Sequence, residues 1–274
     1  MRVFEALCAQ MLACERAGES RTIRRVYLPE PAPDSDRATE FGLLELDDGS
    51  VGLYYAWLGA GQSGMAERYA RQLPGLPAHA LLAPHEVSDV AARSLAVAAL
   101  NALTASAWQR AGYRPPPANG GFGLTLQDEG PLGMVGNFAP LVRQARARDK
   151  PVVVLERKSK MWQDSPGLTI TPDIEALAPC RQILCTAATL LNDTLDEVLA
   201  GLPSGVELAL VGPTAGMFPD EFFARGFSVV AGTAILDTAR ALERLAMGQP
   251  LGDAALKYAI DCQTYPGTEA LLGR

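Results

Sequence analysis

Short runs of unbroken hydrophobicity recur through the second half of the chain, at Leu132 to Val135, Val152 to Leu155, Ile183 to Cys185, Glu207 to Val211 and Ser228 to Ala231. Helix-compatible segments lie between or after them, at Ala139 to Arg148, Thr194 to Ala200, Asp220 to Ala224 and Asp237 to Met247. Strands that do not alternate polar with apolar residues are buried on both faces. The pattern therefore predicts a parallel sheet covered by helices.

The first part has a different rhythm. Val3, Leu7, Met11 and Cys14 recur at helical spacing, with Gly18 as the stop. Two apolar runs, Phe41 to Leu46 and Val51 to Leu58, flank Asp47-Asp48-Gly49-Ser50. Asp-Gly between such runs predicts a β-hairpin, and Thr22 to Leu28 is expected to pair with it. From Ser88, an expected N-cap, to Ala111 runs a helix with nine alanines, apolar nearly all round. Such a helix should be buried between the hairpin sheet and a second layer. The stretch Gly112 to Gly123, with three prolines and four glycines, is the natural boundary. The fold class is α/β: a smaller α+β domain at 1–116 precedes a parallel-sheet domain at 117–274.

Composition narrows the function. A chain of 274 residues that is 48% hydrophobic and 20% charged can bury a core and is not intrinsically disordered. With 24 basic and 31 acidic residues the net charge is −7, and the longest basic block is the broken run Arg157, Lys158, Lys160. A nucleic-acid partner is not expected. The longest uncharged stretch, Gly49 to Ala66, is interrupted by five glycines and does not read as a membrane span. The N-terminal segment reads as an amphipathic helix of a cytoplasmic protein, not a secretory signal. Five scattered cysteines, Cys8, Cys14, Cys180, Cys185 and Cys262, suit reduced thiols. Together with His79 and His85 they show no metal-site spacing.

Parallel sheets bind ligands at the carboxyl ends of their strands, so the residues after each strand are the candidates. Gly136, Asn137 and Phe138 follow the first strand, with a helix starting near Pro140. A glycine there lets backbone approach an anion, although it serves a tight turn equally well, and the G-x-G-x-x-G spacing is absent. Glu156 ends the second strand, 20 residues beyond Gly136, where nucleotide-binding folds place an acid. A solvated acid beside Arg157 and Lys158 is the alternative. After the third strand come Thr186, Thr189 and Asn192; a helix should start at Asn192 or Asp193, or at Thr194 through a capping box with Glu197. Capping leaves Thr186 and Thr189 without a structural task. Gly212-Pro213-Thr214 follows the fourth strand, with Pro219 opening the next helix, and Gly232-Thr233 closes the fifth. Asn101, in the alanine-rich helix, needs a hydrogen-bond partner, either neighbouring backbone or a ligand between the domains. Neither histidine falls on a strand end and no G-x-S-x-G elbow exists, so a nucleophilic triad is disfavoured.

These motifs resemble the bacterial and archaeal heavy-metal-chelation proteins, in which an enolase N-terminal-like domain precedes a Rossmann-like domain. The resemblance is carried by Gly133 to Pro140, Glu156, Thr186 to Asn192, Gly212 to Pro219 and Gly226 to Gly232. In the first part it is carried by Asp48-Gly49-Ser50 and Ala98 to Ala102. Threonine at 214 stands where the family has serine, and Ala187-Ala188 replaces a frequent Gly-Thr pair. The resemblance implies a site between the domains for a small polar molecule, linked to metal homeostasis or to a siderophore, pterin-like or flavin-like chelator. In that reading Glu156 orients the ligand or acts as a base, and Thr186, Thr189 and Asn192 bind it. Gly136, Asn137, Phe138 and Gly212-Pro213-Thr214 complete the lining, and Asn101 closes the cleft. A non-catalytic carrier of a metal chelate or nucleotide, or an S-adenosylmethionine-dependent transferase, are the alternatives. The cofactor stays unknown, no membrane partner is expected, and self-association stays open.

Overall fold

The computed structural model describes residues 1–15, 20–29, 41–56, 71–83, 89–118, 123–127 and 129–273. Helix α1 (Val3–Glu15) precedes three antiparallel strands, β1 (Ile23–Tyr27), β2 (Phe41–Leu46) and β3 (Val51–Tyr55), which form one sheet in that order. The expected Asp-Gly turn joins β2 to β3. Gly49 sits at φ +86°, which an L side chain would resist. Asp48 anchors the turn to the next helix, accepting hydrogen bonds from Ser50 N–H at 2.9 Å and the Ser106 hydroxyl at 2.5 Å. Burial opposes ionisation of Asp48, but these bonds and nearby Arg21 outweigh it and hold the carboxyl below its usual range.

The alanine-rich stretch forms α2 (Val90–Arg110). Asp89 caps it by accepting from Ala92 N–H at 2.9 Å. The expected cap Ser88 lies outside the described residues, as do the helix stop Gly18, the strand end Leu58 and His85. The small side chains let other backbones come close on two sides. A Cβ on Gly52 of β3 would lie 2.0 Å from the Ala98 carbonyl, and one on Gly216 would lie 2.9 Å from Asn101 Cγ. The helix is thus gripped between the small sheet and the second layer, as its composition predicts. By length and composition α2 could cross a membrane, yet 78% of its apolar window is buried inside the fold.

The second layer is an eight-stranded sheet. Its strands are β4 (Leu132–Val135), β5 (Val152–Leu155), β6 (Gln163–Ser165), β7 (Leu168–Thr171), β8 (Gln182–Thr186), β9 (Glu207–Val211), β10 (Phe227–Ile235) and β11 (Ala255–Asp261). They lie in the order β11-β10-β9-β8-β4-β5-β7-β6. The six parallel strands in chain order, β4, β5, β7, β8, β9 and β10, occupy the Rossmann arrangement 3-2-1-4-5-6, with its switch point between β4 and β8. Helices α3 (Ala139–Arg146), α4 (Leu195–Gly201), α5 (Asp220–Phe223) and α6 (Thr238–Ala246) follow their strands close to the expected places, and α7 (Thr268–Leu271) ends the described chain.

Three strands carry too weak a pattern to be seen in the sequence. β6 is exposed throughout, β7 buries only Leu168 and Ile170, and β11 is an antiparallel edge strand broken by Lys257. The proline-rich stretch is built into that edge. Ala118 N–H donates to the Lys257 carbonyl at 2.9 Å, and Ala259 N–H to that of Pro116 at 3.1 Å. One apolar cluster joins α1, α2 and β2 to β8, β9 and β10. A second lies on the α3 face of the large sheet. In a third, Leu245 of α6 packs on Leu43 and Leu53, on the side of the small sheet away from α2.

Candidate functional site

The switch point brings the β4 and β8 ends together. Gly136 turns the chain out of β4 at φ +87°, and a Cβ there would lie 2.8 Å from Thr186 Cγ2. Glycine is required on both counts. α3 begins directly after, with Pro140 in its first turn, where a missing N–H costs nothing. Glu156, at the end of β5, accepts from Asn137 N–H at 3.2 Å and from Lys158 N–H at 2.9 Å. Its backbone carbonyl takes the Trp162 indole N–H at 2.8 Å. A carboxylate has about four lone-pair sites, so Glu156 ties two strand-end turns together and keeps capacity to accept more.

The β8 end differs from expectation. Thr186 caps a 3-10 turn (Ala187–Leu190) by accepting from Ala188 N–H, and Thr189 donates to the Thr186 carbonyl at 2.6 Å. Both threonines therefore have structural tasks. The helix starts in the Thr194 register, with Thr194 at its N-cap position, but none of the three candidate side chains makes a capping hydrogen bond. Thr194 precedes α4 without a side-chain cap and donates instead to Asn192 Oδ1 at 2.6 Å. Asp193, at φ +58°, turns its carboxylate to Arg93 at 2.7 Å and Arg2 at 2.5 Å. Arg93 and Asp193 side chains are only 5% and 7% exposed. A buried guanidinium without a counter-charge costs several kcal/mol, about 3–5 when a pair is broken, which exceeds the value of a cap.

Asn101 finds backbone partners. Its amide donates to the Leu53 carbonyl at 2.6 Å and the Thr214 carbonyl at 2.9 Å, and its oxygen accepts from Gly216 N–H at 3.1 Å. It thereby pins the Gly212–Gly216 loop at the end of β9 to β3 of the small sheet. Thr214 is buried in that loop; Gly212 and Pro213 are partly exposed, as are Asn137 and Phe138.

A metal centre does not fit these residues. Among the described residues no group of three or more His, Cys, Asp or Glu side chains is placed to hold an ion. Burial pushes the thiols of Cys8 and Cys185 up to about 12 and that of Cys180 to about 11, so they stay protonated and poor as ligands. Iodoacetamide at pH 8 is expected to label exposed Cys262 in the native protein and these three only after unfolding. Mass spectrometry of the labelled peptides checks this; native labelling of Cys185 would contradict its placement in the sheet.

Sequence reasoning passes over a cavity of about 330 Å³ on the flank of α3, lined in part by Asn137, Arg143, Arg146 and Gln163. Its signal is two arginines three residues apart on one helix of an acidic chain. The weak pattern of β6 and β7 hides the opposite wall.

Comparison with known proteins agrees with this architecture. Residues 121–257, half of the chain, match the DUF364 family, described as "Putative heavy-metal chelation". An uncharacterized protein of Methanocaldococcus jannaschii is 32% identical over 159 residues, 56% of this chain and 59% of that protein. The chain thus spans less than two thirds of the length of that curated relative. A crystal structure of a DUF364 protein of unknown function from Pyrococcus horikoshii covers 94% of this chain and 99% of its own, at 21% identity and a TM-score of 0.71. A second, from Desulfitobacterium hafniense, covers 94% and 98%, at 18% identity and a TM-score of 0.64. At such identities the likeness shows the fold alone. By its sequence match the chain belongs to the DUF364 heavy-metal-chelation family.

Proposed function

We propose that the chain binds a small polar molecule, a metal chelator or its precursor of siderophore, pterin or flavin type, at the carboxyl ends of β4 and β8. The strand order is the observation that carries this reading, since open parallel sheets take their ligands at the switch point. The family description points to heavy metals, whereas the described residues offer no donor cluster. A chelator supplying its own donors reconciles the two. Asn137 and Phe138 line the crevice, and Glu156 orients the ligand or accepts its proton through its remaining lone pairs. Asn192 supplies a polar rim. Asn101, with both N–H groups and its oxygen engaged, acts as a positioning residue for Gly212, Pro213 and Thr214. With the proposed domain division at residue 116, the crevice is overlooked by both domains. A cytoplasmic setting belongs to the same proposal.

Calorimetry on the whole chain with pterin, FMN and the iron(III) complex of 2,3-dihydroxybenzoate tests this. At least one is expected to bind, and Glu156→Gln to weaken it tenfold or more while circular dichroism shows the fold retained. No heat from any of the three at millimolar concentration counts against the reading. A nucleotide is the second reading, favoured by an acid at the end of the second strand of a 3-2-1-4-5-6 sheet. Heat with NAD or S-adenosylmethionine that Glu156→Gln removes would decide for it.

A further inference from the structure

We propose that the cavity beside α3 is a separate binding site for a small organic acid, an anionic carboxylate on an apolar, ring-sized body. The origin of the cavity lies in the topology. Right-handed crossovers place the β4-to-β5 and β5-to-β7 connections on the same face of the sheet. The first contains α3. The second has a 3-10 turn (Ser159–Met161) and the edge strand β6 where a Rossmann sheet carries a helix. The sheet positions that a second helix would cover are Leu168 and Ile170 of β7. With Val142 of α3 they form the apolar floor of a space of about 330 Å³. That volume falls at the lower end of small-molecule sites.

The wall is cationic. Arg143 and Arg146 share a face of α3, one turn apart, and both line the space. Among the described residues neither guanidinium pairs with a carboxylate, and Arg146 donates only to the Pro166 carbonyl at 3.3 Å. The surrounding chain reinforces the sign: residues 143–160 hold seven basic and two acidic residues, in a protein of net charge −7. Such a local reversal attracts anions. An apolar floor beneath two unpaired guanidinium groups fits a ligand with one hydrophobic body and one acid group, while the Asn137 and Gln163 amides add neutral donors. The site shares Asn137, whose N–H Glu156 holds at 3.2 Å, with the strand-end crevice and does not involve the β8 end.

Calorimetry on the whole chain with 2-naphthoate and uncharged 2-naphthamide as probes tests this. Naphthoate is expected to bind at least tenfold tighter than naphthamide. The double substitution Arg143→Gln with Arg146→Gln, at exposed positions, should bring naphthoate down to the naphthamide level. Gln163→Trp, on an exposed edge strand that favours aromatic residues, should fill the space and weaken both probes at least tenfold. Asn192→Ala, at an exposed position beyond the β8 end, should change neither, which separates this site from the strand-end reading. Equal affinity for the two probes, no binding, or binding that survives the arginine or Gln163 substitutions would overturn the proposal. Loss of naphthoate binding in Asn192→Ala would do so as well.

Discussion

Asn101→Ala is expected to lower the free energy of unfolding by about 3 kcal/mol or more. The substitution removes partners from three backbone groups, the Leu53 and Thr214 carbonyls and Gly216 N–H, in a site where Asn101 itself is only 3% exposed. Each buried group left unsatisfied costs about 1–3 kcal/mol, and the vacated volume adds to the loss. Asn101→Asp should be nearly as harmful, because it keeps the acceptor for Gly216 but turns a charge toward two carbonyl oxygens. Urea unfolding followed by circular dichroism measures both. A loss below about 1 kcal/mol for Asn101→Ala would show that water or neighbouring groups replace the amide, and would remove its positioning role.

Gly52→Ala should be more damaging still, by over about 4 kcal/mol, a cost that only a few mechanisms reach. The new Cβ would lie 2.0 Å from the Ala98 carbonyl oxygen and 2.6 Å from Ala102 N, both backbone atoms of α2. No side-chain rotation relieves such a contact. The helix must move off the sheet, and α2 is held on its far side by the Gly216 loop. A control is Gly205→Ala, at φ +75° with nothing within 4 Å, which should cost only about 1 kcal/mol of backbone strain. Thermal melts and near-ultraviolet circular dichroism distinguish the two; a Gly52→Ala protein as stable as the control would contradict the close packing of β3 on α2.

Much of the framework is legible because burial dictates it. The runs Leu132–Val135, Val152–Leu155 and Glu207–Val211 become strands at the expected boundaries, since a strand covered on both faces has no polar positions to blur its ends. The hairpin is legible for another reason, the φ requirement at Gly49. What the pattern hides are the elements at the sheet margins. β6, β7 and β11 need little burial, and their pairing is decided by neighbours far away in sequence. The candidate site divides along the same line. Gly136 and Glu156 take up strand-end places that local spacing marks, whereas the tasks of Thr186, Thr189, Asn101 and Asp193 depend on which backbone group or buried charge lies nearest. Asp193 is instructive: its cap propensity is a local preference, overridden by Arg93, a residue 100 positions earlier.

The packing of Leu245 on Leu43 and Leu53 has a consequence during synthesis. The small sheet is complete in sequence once Tyr55 has been made, yet this outer apolar side stays open to water until α6 emerges from the ribosome. At about 5–20 residues per second, the roughly 190 intervening residues take some 10–40 seconds. Through that interval the nascent sheet carries an uncovered hydrophobic surface of the kind that chaperones recognise. The N-terminal part alone, ending near residue 116, should carry the same liability permanently and aggregate where the whole chain does not.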